Sequence, residues 1–426
     1  MRCLLFAAVL TVPAAFASAR QIEHSNEYGA GLGVTVNTYS MPVPHYGMIR
    51  NAGIQYIRRD MAWSEVEQTL GVYRWHTFDR LVAETEASGR RMMFILDYSN
   101  KLYSSTSPRD PVTIQAYTNF ARAAVERYKG RGIVWEVWNE PNHPVFWKPV
   151  PNIDEYFALA KAACIAIRQV APREMVIAPA LSGVDFEWLE GLFQRGLLPY
   201  IDGVSVHPYR AGAPETVLDD YAKLRALIAR YNNTNRDIVI VNSEWGVTPG
   251  FLGHLWIDQE QHPIRIYFAA LLSKIPISIH FNWIDLGTDQ TVPHNRFGLL
   301  TTGLTTKRSY ARFKFYNDRL SGYRFVSRLH VADDREFLLL FTNGTDEQLV
   351  AYTSRAALKV NVAPASASFF DYSRGYGDFA GFQGTNAGVK IPFDLQPAVL
   401  KPRTRSTLLR YAATIPGLPD SAVVYG

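Results

Sequence analysis

Between residues 29 and 320 the chain alternates two kinds of segment. Short apolar runs are GLGVTVN (31–37), IQYIRRD (54–60), RMMFILDY (91–98), IVWEVWNE (133–140), MVIAPAL (175–181), DGVSVHPY (202–209), IVIVNSEWG (238–246) and ISIHFNWID (277–285). Between them lie stretches with helical periodicity, such as TFDRLVAETEASG, IQAYTNFARAAVERYKG and ETVLDDYAKLRALIARY. Gly89 and Gly130 fall where helix C-terminal glycines belong, and Asp79, Thr113 and Asp154 lie near helix starts. Eight runs, each followed by a helix, are the count of a (β/α)8 barrel. Strands nearly continuous in Val, Ile, Leu and Phe are expected when both sheet faces are covered. The span also fits one barrel, for which about 250 residues is typical. The competing fold, an open doubly wound sheet, would carry a glycine-rich phosphate turn after an early strand, and no GxGxxG follows GLGVTVN.

After Leu320 the pattern changes. Short apolar runs alternate with turn signals, and FTNGTDEQL predicts two strands joined at Asn343-Gly344. Residues 321–426 are therefore expected to form a small β-sandwich domain behind a barrel of residues 20–320. A buttress over the barrel surface accounts for such a domain. The patch Phe369, Phe370, Tyr372, Tyr376, Phe379 and Phe382 is the one feature that would suit carbohydrate binding instead.

Composition sets the class. The 426 residues are 47% hydrophobic, 13% aromatic and 19% charged, enough apolar material for a large core. The net charge of +5 is small and the basic residues do not cluster, so no nucleic-acid partner is expected. Met1-Arg2, the apolar run from Cys3 to Phe16 and Ala17-Ser18-Ala19 read as a signal peptide over 1–19, predicting export to the periplasm or beyond. No stretch reaches the roughly 20 apolar residues of a membrane span. Cys3 would leave with the signal. Cys164 then stands alone in a helical stretch, a small core residue and not half of a disulfide.

Candidate chemistry collects at the ends of the apolar runs, which in a barrel form the mouth where active sites lie. The fourth run ends Trp138-Asn139-Glu140 and the seventh Asn242-Ser243-Glu244-Trp245. The sixth ends His207-Pro208-Tyr209, the third Asp97-Tyr98-Ser99-Asn100 and the eighth Asn282-Trp283-Ile284-Asp285, while the second carries Arg58 and Asp60 with Trp63 beyond. Pro141 cannot extend a ladder, so the fourth strand stops where Glu140 is presented. Glu140 and Glu244 would face each other across the mouth. Paired carboxyls flanking one bond are what glycoside cleavage requires, one as a neutral acid and the other ionised.

WNEPN, HPY and NSEWG together resemble clan A glycoside hydrolases, retaining (β/α)8 enzymes. The R-x-D-x-x-W element (Arg58, Asp60, Trp63), the following EQTLGVYRWHTFDRLV and the trailing β region resemble family 39 most, and within it bacterial endoglycosidases that cut biofilm exopolysaccharides. The resemblance implies Glu140 as acid/base and Glu244 as nucleophile. It implies Asn139 on the sugar 2-hydroxyl, Tyr209 and Arg58 on the nucleophile, His207 lining the site, and Trp283 as the sugar platform. Strand alternation selects Arg58 over Arg59 by placing it on the face of Asp60.

Other mouth candidates are Trp63, Tyr98, Asn100, His143, Trp147 and Trp245, with Trp147 on the Pro-rich loop after the fourth run as a leaving-group subsite. Glu136 faces the same way as Glu140 one step deeper and reads as a buried, paired group. The ten histidines show no HxxxH pair and no phosphate loop appears, so neither metal nor cofactor is expected. The expected activity is endo-hydrolysis of a polysaccharide by a monomer. An exo-acting β-xylosidase or β-glucosidase, and a silent polysaccharide-binding protein, remain as alternatives.

Overall fold

The computed structural model describes residues 24–37, 42–329, 334–354, 370–373 and 398–402. Eight strands close a parallel barrel: β1 Leu32–Thr35, β2 Tyr56–Ala62, β3 Arg91–Asp97, β4 Val134–Val137, β5 Met175–Ser182, β6 Gly203–His207, β7 Val239–Trp245 and β8 Ser278–His280. Each is followed by a helix: α1 Val43–Asn51, α2 His76–Ala87, α3 Pro111–Tyr128, α4 Ile153–Val170, α5 Phe186–Gln194, α6 Val217–Tyr231, α7 Trp256–Leu272 and α8 Arg308–Leu320. The strands pair in chain order around the barrel, and β8 closes on β1 through Gly33 opposite Ile279. A side chain at Gly33 would collide with Ile279 and Tyr56, so the closure requires glycine there.

Alternation along the strands builds two cores. Tyr56, Met93, Val134, Met175, Ile177, Val241, Ile277 and Ile279 fill the lower barrel. Their outward neighbours join the helices in one larger core. Each buried Ile, Val or Met contributes roughly 1.5–3 kcal/mol by leaving water. The helix ends are fixed by side chains. Asp110 caps α3 by accepting from Val112 and Thr113 N–H at 3.0 and 3.1 Å, and Asn152 caps α4 by accepting from Asp154 and Glu155 N–H. Gly89 and Gly130 follow α2 and α3 with φ of 72° and 83°. Cys164 lies buried in α4, where burial pushes its thiol up to about 12. Among the described residues no helix is long and apolar enough to cross a membrane.

Beyond α8, the described residues form one antiparallel five-stranded sheet: β9 Arg324–Leu329, β10 Glu336–Thr342, β11 Glu347–Thr353, β12 Phe370–Ser373 and β13 Ala398–Pro402, in the order β9-β10-β11-β13-β12. Asn343 and Gly344 lie in the β10–β11 loop. Asn343 Oδ1 accepts from Thr345 and Asp346 N–H, and Gly344 takes φ 92°. The inner face of the sheet packs on the barrel, with Phe268 of α7 against Phe341 and Tyr352. Helices thus supply the layer opposite this sheet. Residues 1–19 lie outside the described residues, as do Phe369, Tyr376, Phe379 and Phe382 and the side chains of Phe370 and Tyr372.

Candidate active site

β4 ends at Val137 and the chain then turns sharply. Trp138 and Glu140 both take positive φ, 69° and 46°, a left-handed conformation that costs a non-glycine residue roughly 1–2 kcal/mol. Glu140 is held there by its N–H donating to the carbonyl of Ala180 on β5 at 3.0 Å. The turn carries Asn139 and Glu140 off the barrel wall and over its mouth. Strain of this kind, held in place by a neighbouring strand, is typical of functional sites.

Arg58 organises the mouth. It is 1% exposed and donates from Nε and Nη2 to Glu136 Oε2 at 2.9 and 2.7 Å, and from Nη1 to Glu244 Oε2 at 2.6 Å. Nη2 also donates to Asn139 Oδ1 at 3.2 Å and approaches His207 Nε2 at 3.3 Å. A guanidinium only donates, so His207 Nε2 must be the acceptor. The imidazole proton therefore sits on Nδ1 and donates to Glu140 Oε1 at 2.9 Å. Tyr209 donates its hydroxyl to the other oxygen of Glu244 at 3.0 Å.

Two glutamates thus stand in different settings. Glu244 accepts from a cation and a phenol. Glu140 is buried; burial pushes its carboxyl upward, but the hydrogen bond from His207 and the charge of Arg58 outweigh it and leave the group below its ordinary value. Tyr209 is pushed well above the usual phenol range by burial and by the charge of Glu244, which keeps it a donor. One carboxylate oxygen of Glu140 and one of Glu244 lie within 4.8 Å of each other. With His207 these two could in principle surround a metal, but both ring nitrogens of His207 are engaged and Arg58 already occupies the charge position.

The structure brings Arg58, Asn139, Glu140, His207, Tyr209 and Glu244 together. Tyr98 and His143 line the same side. Tyr98 stacks on Phe146 at 5.9 Å and His143 packs against it at 5.6 Å. Other candidates lie elsewhere. Trp63 is buried between Tyr103 and Phe120 and donates to Glu67. Trp147 is buried against Trp138 and Tyr156 and donates to Glu155, so it is core and not a leaving-group subsite. Trp245 is buried beneath Arg210. Trp283 is 0% exposed and donates to His45, so it presents no face to a sugar. Asn100 spends its amide inside a loop, donating to the Glu67 carbonyl and accepting from Leu102 N–H. An aromatic residue at a strand end can turn into the mouth or back under the helices, and sequence does not say which.

Two features escaped the sequence reading. Phe146 completes the aromatic wall, but its loop has no periodicity to read. His254, Asp258 and His262 bring one ligand atom each within 4.8 Å of one another. Their four-residue spacing is the signal: Asp258 and His262 share one face of α7, and His254 lies just before its first turn. A cleft of about 750 Å³ lies at the opposite end of the barrel, lined by Arg91, Gly132, Val134 and Glu174, a face that serves stability in this architecture.

Residues 103–253, which carry Asn139, Glu140, His207, Tyr209 and Glu244, match the family described as Glycosyl hydrolases family 39. A β-xylosidase of Geobacillus stearothermophilus is 27% identical over 224 residues, 45% of this chain and 43% of that protein. The match thus spans less than half of that relative. A family 39 glycoside hydrolase from the gut symbiont Bacteroides cellulosilyticus WH2 superimposes with a TM-score of 0.75 at 21% identity, over 90% of this chain and 83% of that one. A monomeric β-xylosidase from Caulobacter crescentus CB15 does so with a TM-score of 0.62 at 19% identity, over 82% and 80%. The structural likenesses show a shared (β/α)8 fold. Over residues 103–253 the chain resembles glycosyl hydrolases family 39.

Proposed function

We propose that this chain is a retaining β-glycosidase of the family 39 type. Glu244 attacks the anomeric carbon, the glycosidic C–O bond breaks, and the departing oxygen takes a proton from Glu140. A water then attacks the same carbon, gives its proton to Glu140 and releases Glu244. The observation that carries this reading is the pairing of Glu140 and Glu244 at the mouth, one oxygen of each within 4.8 Å of the other, with Arg58 and Tyr209 holding Glu244. Retaining pairs stand about 5–5.5 Å apart, and inverting pairs about 6.5–9.5 Å, leaving room for a water. Asn139 accepts from Arg58 through Oδ1, which leaves its N–H donors for a sugar hydroxyl. Arg58 and Tyr209 fix both oxygens of Glu244 for in-line attack.

The finer reading is endo-cleavage of an exopolysaccharide by an exported monomer. Its support is the resemblance of Arg58, Asp60, Trp63, the following EQTLGVYRWHTFDRLV and the trailing β region to exopolysaccharide endoglycosidases, with the signal-like residues 1–19. Exo-action is favoured by a different observation, the description of two relatives as β-xylosidases. Product analysis decides. The enzyme is incubated with bacterial exopolysaccharides, plant β-glycans and an aryl β-xyloside, and products are followed by NMR and by length. Oligosaccharides of β configuration support the endo reading, and xylose alone supports the exo reading. An α product appearing first overturns retention. Glu140→Gln should cost about 10²–10⁴-fold in rate. Azide added to Glu140→Ala should yield a β-glycosyl azide, because the anion then attacks an intermediate held on Glu244.

A further inference from the structure

His254, Asp258 and His262 lie at the start of α7, away from the two glutamates, and nothing in the proposed reaction uses them. His254 and His262 are 7% exposed, and the Asp258 side chain 22%. His254 Nδ1 lies 3.4 Å from Asp258 Oδ2, and His262 Nε2 lies 3.6 Å from Asp258 Oδ1. These separations are long for hydrogen bonds. They run to different oxygens of Asp258, so a tetrahedral ion, whose bonds of 2.0–2.1 Å set ligand atoms about 3.3–3.4 Å apart, would take one of those oxygens with the two ring nitrogens. The third edge of the triangle is within 4.8 Å.

The surroundings favour coordination. His254 Nε2 faces the backbone carbonyl of Arg210 at 3.0 Å, and a carbonyl only accepts. The proton that Nε2 donates leaves Nδ1 with its lone pair aimed at Asp258, the arrangement by which a metal-bound histidine is oriented. Without an ion, the 3.4 Å between His254 Nδ1 and Asp258 Oδ2 is bridged only by a second proton on His254. Arg265 lies beside His262. Arg265 is itself closed by a bidentate pair with Glu215, so its charge does not stand free. The helix dipole opposes a cation here, but by little beside a metal–ligand bond.

We infer that His254, Asp258 and His262 bind a divalent transition metal, zinc by the softness of the ligand set, with solvent as the fourth ligand. Its effect would be local. His254 ends the loop that leaves β7, and through Arg210 the ion would tie that loop to the one carrying Tyr209. Tyr209 packs on Phe251 of the same loop at 6.0 Å.

The test is titration of untagged protein with zinc chloride and cobalt chloride, read by calorimetry and by the visible absorption of bound cobalt. One equivalent should bind, raise the thermal midpoint and persist in Glu140→Gln/Glu244→Gln. Affinity should fall at least tenfold in His262→Ala and vanish in His254→Ala/His262→Ala, with near-UV circular dichroism checking the fold. If those variants do not fold, Asp258→Asn, which keeps the shape and removes the charge, decides in the same way. Absence of stoichiometric binding, binding unchanged in these variants, or binding lost in the glutamine pair would each overturn the assignment.

Discussion

Arg58 closes on Glu136 through two donors at 2.9 and 2.7 Å, and both side chains are at most 1% exposed. The same guanidinium reaches Glu244, so a buried ion pair sets the position of the proposed nucleophile. Glu136→Ala leaves the guanidinium short of a carboxylate in a dry site and should cost about 3–5 kcal/mol of stability. Glu136→Gln keeps an acceptor and should cost less. Urea unfolding near pH 7 measures both. Equal stability of Glu136→Ala and wild type would show that the pair is dispensable.

His207 should set the alkaline limb of activity. Its Nδ1–H donates to Glu140 and holds that carboxyl low against the push of burial. Without this donor, only the smaller pull of nearby charge, that of Arg58 included, opposes burial, and the carboxyl rises. Glu140 works as an acid only while protonated, so a higher value extends activity to higher pH. In His207→Phe the alkaline limb of kcat/KM should move upward, together with a loss in rate from disturbed packing. A limb that stays or moves downward would separate His207 from the proton on Glu140.

The eight strands were legible because parallel strands covered on both faces read as continuous apolar runs, and each begins and ends within a few residues of its run. Glu136 was legible by alternation from Glu140. What failed was the outward or inward fate of aromatic rings. Trp147 and Trp283 lie beside mouth residues in sequence, yet the turn after β4 swings Trp147 beneath α4, and Trp283 points back to His45. Tertiary packing decides such cases, and periodicity carries no record of it. The His254 cluster was missed for a related reason: its Asp occupies the place where an HxxxH pair would have its second histidine.

Trp147 makes the difference between core and subsite measurable. It is 0% exposed between Trp138 and Tyr156. Trp147→Ala should lose about 3–5 kcal/mol of stability, as large core truncations do. Trp147→Phe should leave KM unchanged at temperatures where the protein stays folded. A raised KM at unchanged stability would return Trp147 to the substrate groove.

Acid stability should report His280. It lies at the end of β8, against Phe313 at 5.7 Å. Burial, with a smaller push from Lys307, takes it from the ordinary 6.5 down to about 3. Between these values the unfolded chain binds a proton that the folded chain does not, so folding stability rises with pH across that window. The contribution is fully present above about 6.5 and is lost as pH falls toward 3. One such proton gives a slope of about 1.4 kcal/mol per pH unit. His262 adds a term of the same sign, so the diagnostic quantity is the difference between wild type and His280→Gln. That variant should be less stable near neutral pH through imperfect packing, and its stability should fall less steeply between pH 6 and 4. Parallel slopes for the two proteins would mean that His280 titrates alike in the folded and unfolded chain, against the effect of its burial.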